Sequence, residues 1–63
     1  MENLIETALF KANAAHDRAV AHNAFADMFD AAGMSRLASA RRKEAESEWG
    51  MVRVWRGMVD ALA

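Results

Sequence analysis

The sequence predicts an all-α fold, an antiparallel helical hairpin of two long helices. Three observations carry this reading. Proline is absent from all 63 residues, so nothing removes a backbone donor from a helix interior. Fifteen residues are alanine, the strongest helix former. Glycine occurs only at 33, 50 and 57, and Gly33 separates two long stretches of helical character.

The first helix is predicted over about 3–32. Asn3, followed three residues later by Glu6, reads as an N-terminal cap, and Glu6 also suits the positive end of the helix dipole. Gly33 fits the left-handed position that commonly follows a helix, giving a turn at about 33–34. Ser35 is positioned to cap a second helix over about 35–62. Each helix would span roughly 42–45 Å at 1.5 Å per residue. So short a connection folds them antiparallel, and residues 1–63 read as a single domain.

A seam with alternating four- and three-residue spacing can be written for each helix. On the first it reads Ile5, Leu9, Ala12, His16, Ala19, Asn23, Ala26, Asp30. On the second it reads Met34, Ala38, Arg41, Ala45, Glu48, Val52, Trp55, Val59, Leu62. Ala12, Ala19 and Ala26 recur every seven residues and would let the axes approach near the lower end of the usual 8–10 Å. Folding about Gly33 brings together positions equally far from it. His16 then falls near Glu48, and Asn23 and Asp30 near Arg41. His16, Asn23, Asp30, Arg41 and Glu48 are therefore expected as a buried polar layer that fixes register. A pH-sensitive His16–Glu48 pair is the narrower version of this expectation.

Composition limits the chemistry. The 34 apolar residues make up 54% of the chain, but 15 are alanine and only 19 are larger. With no cysteine, a disulfide scaffold and a thiolate metal site are excluded. Small folds without such staples commonly gain stability by oligomerising, so a homodimeric four-helix bundle is the expected assembly. Residues 1–15 lack a basic start followed by a long apolar run. The longest stretch free of charge and histidine is Ala31–Ser35, so no transmembrane segment is expected and a cytoplasmic location is.

No catalytic, metal-binding or cofactor site is predicted. A di-iron bundle needs Glu-x-x-His, whereas Asn13 and Ala19 precede His16 and His22 by three. Six residues apart, the two histidines lie about 120° from each other around a helix and cannot hold one ion. Ser35, Ser39 and Ser47 have neither a partner base nor a phosphate-cradling glycine loop nearby. These features argue against an enzyme.

Charge and bulk are unevenly spread. Residues 1–32 hold five acids against Lys11 and Arg18, net −3. Residues 33–63 hold six bases against four acids, net +2. Arg36, Arg41, Arg42 and Lys43 form a candidate nucleic-acid contact, weakened by the three acids that follow and an overall charge of −1. From Trp49 to Ala63 the charged residues are Arg53, Arg56 and Asp60, which share about 60° of arc at 100° per residue. The remaining apolar arc is wider than one partner helix covers. Trp49, Met51, Val54, Trp55 and Met58 are therefore the expected protein interface, since Trp and Met are enriched in such contacts. Gly50 and Gly57 share a stripe with Arg36 and Lys43, where they would let another backbone come close. The function expected is a small non-enzymatic interaction or regulatory protein that binds itself and a protein partner through this face. The alternative is a nucleic-acid-binding hairpin.

Overall fold

The computed structural model describes residues 3–63 and consists of two packed helices, α1 (Leu4–Ala31) and α2 (Ser35–Leu62), with no strand among the described residues. Asn3 caps α1 as the sequence suggests. Its side-chain oxygen accepts the N–H groups of Ile5 at 3.0 Å and Glu6 at 3.2 Å, satisfying two of the donors a helix start leaves open. At the other end Gly33 adopts φ 74°, where a Cβ would be strained. Its N–H donates to the Asp30 carbonyl at 3.0 Å, and the Met34 N–H to that of Phe29 at 2.8 Å. These two bonds form a Schellman motif, which closes α1 and reverses the chain in the same step.

So tight a reversal corrects the expected second cap. Ser35 is already the first residue of α2, and the cap position belongs to Met34, which makes no side-chain capping bond. The turn spends one residue fewer than a separate serine cap requires.

The seam is closed by small side chains. Ala8, Ala12, Ala15, Ala19 and Ala26 of α1 meet Ala38, Ala45 and Val52 of α2, and these eight are the buried core among the described residues. On α2 the expected seam holds through the middle: Arg41, Glu48, Trp55 and Val59 lie half-buried along it, while Met34 and Leu62 at its ends are exposed. On α1 every second seam position moves by one residue. Ala8, Ala15, His22 and Phe29 face α2 where Leu9, His16, Asn23 and Asp30 were expected, and Leu9 and Asp30 are exposed. Alanine at these seam positions lets the axes come together, and the narrow gap between Ala8, Ala12 and Ala15 leaves Leu9 outside.

The molecule is a rod of 49 × 15 × 12 Å with a radius of gyration of 14.5 Å, against about 11 Å for a compact chain of this length. It exposes 4678 Å², more than the roughly 4,000 Å² expected of a globular protein of this mass.

Two substitutions test this account. Ala19→Leu forces a branched side chain into the closed seam and should cost about 1–3 kcal/mol in chemical denaturation at fixed chain concentration. Gly33→Ala should cost about 1 kcal/mol, because alanine disfavours the left-handed backbone at the turn. A Gly33→Ala melting curve matching that of the parent chain would mean that the turn had found another geometry.

Candidate protein-interaction surface

Filling the seam with alanine leaves the bulky hydrophobes outside. Among the described residues twelve large apolar side chains are exposed, Phe10 at 74%, Met28 at 65% and Leu4 at 62% most of all. Their arrangement follows from helical periodicity. On α1, Leu4, Lys11, Arg18 and Phe25 recur every seven residues beside the seam. On α2, Leu37, Glu44, Met51 and Met58 do the same.

Contacts across the helices place these stripes on one face of the hairpin. Lys11 Nζ lies 5.5 Å from the centre of the Trp55 ring, and the Arg41 guanidinium lies 5.0 Å from that of Phe25. Arg18 Nε forms an ion pair with Glu48 Oε1 at 3.1 Å. His22 Nδ1 sits 3.1 Å from Glu44 Oε2 and 3.1 Å from Arg41 Nη1. That one nitrogen accepts from Arg41 when bare and donates to Glu44 when protonated, but does not do both. Phe10, Lys11, Ala14, Arg18, Met51 and Trp55 enclose a cleft of about 270 Å³ on this face. Farther out run Ala14, Ala21 and Met28 on α1 and Ala40, Ser47, Val54 and Ala61 on α2, small or apolar at nearly every step.

The opposite face is richer in charge, although Leu9 and Val20 are also exposed on it. The His16 and Trp49 rings meet edge to face, with centroids 5.2 Å apart and planes at 80°. His16 Nδ1 also lies 3.4 Å from Asp17 Oδ1. Arg42 pairs with Asp30 and, at 3.4 Å, with Asp27. Hydrogen bonding to Asp30, reinforced by the negative charges of Asp30 and Asp27, raises the Arg42 guanidinium above its ordinary value and keeps it cationic. Glu46, Arg53 and Asp60 continue along this side at seven-residue spacing.

Several expected groupings come apart. Among the described residues no polar or charged side chain is buried, so the expected layer is a set of flanking pairs. His16 meets Trp49 in place of Glu48, which takes Arg18, and Asp30 pairs with Arg42 in place of Arg41. Asn23 is half-buried. Of the expected interface, Met51, Val54, Trp55 and Met58 stay on the apolar side, while Trp49 lies on the polar one, two residues and about 200° from Met51. The basic run does not form one patch. Arg41 lies on the apolar face and Arg42 on the polar one, whereas Arg36 and Lys43 share the outer side of α2. The stripes beside the seam had a legible signal in the sequence, the sevenfold recurrence of 4, 11, 18, 25 and of 37, 44, 51, 58.

Among the described residues, no group of three His, Asp or Glu side chains is placed to hold a metal ion, and no helix is long and apolar enough to cross a membrane. No protein-family model, curated protein or solved structure matches the chain.

The two interior glycines of α2 make no close approach within the hairpin. A Cβ on Gly50 would stand 3.8 Å from the Arg53 guanidinium, an ordinary contact, and one on Gly57 would meet nothing within 4 Å. Gly57→Ala and Gly50→Ala should therefore each stabilise the hairpin by roughly 1 kcal/mol, read as a higher melting temperature. Destabilisation by either would show that a second backbone packs on that side.

Proposed function

We propose that this chain is a small non-enzymatic interaction module that works through the apolar face, its first occupant being another copy that completes a four-helix bundle. The observation that carries the reading is the inversion of size between inside and outside. Alanines and Val52 fill the seam, while Phe10, Phe25, Met28, Leu37, Met51 and Met58 stand in solvent. Burying a methyl-sized group contributes about 0.8 kcal/mol and a whole Leu, Met or Phe about 1.5–3 kcal/mol. Much of the sequence's capacity for hydrophobic stabilisation thus lies on a surface that one hairpin leaves uncovered.

The aromatic and methionine content of that face suits a protein partner. The nucleic-acid reading draws less support, because Arg41 and Arg42 are engaged within the chain and point to opposite faces.

Sedimentation velocity of the purified chain tests the proposal. Self-association should persist between low and moderate salt, as an apolar interface requires and phosphate binding does not. Phe10→Lys and Met51→Glu should each weaken association at least tenfold and leave helicity unchanged, since both side chains are exposed in the single hairpin. Val20→Lys, on the polar face, should leave association intact. A parent chain that stays a stable folded monomer at high concentration and captures no partner would sink the reading.

A further inference from the structure

We infer that two copies join by these apolar faces with their hairpins pointing the same way, both Gly33 turns at one end. This rests on the self-association proposed above and specifies its geometry. The occupant follows from size. A face of 49 × 15 Å offers roughly 700 Å² per copy, so a full face-to-face contact buries about 1,400 Å² in total, within the range of stable specific interfaces. A second rod of the same length covers that strip from end to end.

The direction follows from charge. A two-fold axis relates two such faces in one of two ways that keep all neighbouring helices antiparallel. With the axis along the rods, α1 of one copy faces α2 of the other at equal distances from the turn. With the axis across them, α1 faces α1 and α2 faces α2, reversed end to end.

Within one hairpin, complementary groups already face each other at four successive levels: Lys11 with Trp55, Arg18 with Glu48, His22 with Glu44, and Phe25 with Arg41. The first arrangement repeats every one of these pairings between copies. It also brings a second guanidinium to the level of the Arg18–Glu48 pair, where opposite charges alternate between the copies. The second arrangement crosses at mid-rod, where Arg18 meets Arg18 and Glu48 meets Glu48. Like charges so placed in a closing interface are strongly unfavourable. Sliding the reversed copy to relieve them uncovers apolar side chains at both ends. The parallel arrangement is the one in which apolar cover and charge agree.

The absence of cysteine makes the test direct. A nitroxide on Ser35→Cys sits beside the turn, at an exposed position. In the dimer, double electron–electron resonance should then read an intermolecular distance below about 30 Å, since neighbouring axes lie about 8–10 Å apart. Chains labelled at Ala61→Cys should give a similarly short distance, and a mixture of the two labels an additional long one near the 49 Å rod length. Phe10→Lys should abolish the coupling and Val20→Lys should preserve it.

A dimer giving the long distance between like labels overturns the parallel direction and leaves self-association standing. Coupling that survives Phe10→Lys but is lost in Val20→Lys overturns the choice of face. A monomer by scattering, with no coupling, overturns the inference and the reading beneath it together.

Discussion

The close approach of two helices along an alanine seam is the constraint on which the rest of this structure depends. Ala8, Ala12, Ala15, Ala19 and Ala26 against Ala38 and Ala45 leave room for no bulkier side chain until Val52. Most larger side chains are displaced to the flanks, and those that remain along the seam, His22, Phe29, Arg41, Glu48 and Trp55, are only half-buried. The Schellman turn suits the same constraint, reversing the chain within three residues between helices that lie close together.

Displacement to the flanks sorts the hairpin as a whole. Each helix taken alone has apolar residues on several sides, and α1 shows no single greasy stripe because its buried positions are alanine. Taken together, the flank of α1 carrying Leu4 and Phe25 and that of α2 carrying Leu37, Met51 and Met58 make one apolar surface. Asp27, Asp30, Arg42, Glu46, Arg53 and Asp60 make the other. The amphipathicity of α1 emerges only in the pair of helices, and on the proposed reading the pair is the unit that presents a surface to another protein.

Local signals were legible in the sequence where backbone chemistry alone decides. Asn3 caps because its side chain reaches the first free donors, and Gly33 reverses the chain because few residues other than glycine tolerate its φ. Distance from the turn also pairs levels correctly, as Arg18–Glu48 and His22–Glu44 show, each pair being equally far from Gly33. The choice between neighbouring positions was not legible. Weighing hydrophobicity favours Leu9 over Ala8 and an interhelical layer through His16, but packing a narrow gap favours Ala8 and Ala15. Slipping alternate seam positions by one residue changes which flank every polar side chain occupies. That is why His16 arrives at Trp49, and why Trp49 parts from Met51. Proximity in the last fifteen residues suggested one interface, and helical rotation divides it between two faces.

The charged residues in the middle of the apolar face are the part that hydrophobic burial does not explain. Replacing Arg18, Glu48, His22 and Glu44 by aliphatic side chains would make the face stickier and, by the usual cost of desolvating charge, a closed assembly more stable. Such a face would also accept another rod in either direction and at several registers. A band of complementary pairs surrendered to the interface removes that freedom, because each wrong alignment leaves a charge against its like. On the proposed assembly the alanine seam therefore sets which surface is offered, the flanking hydrophobes set how firmly it is covered, and the central ion pairs set which way round the second copy lies.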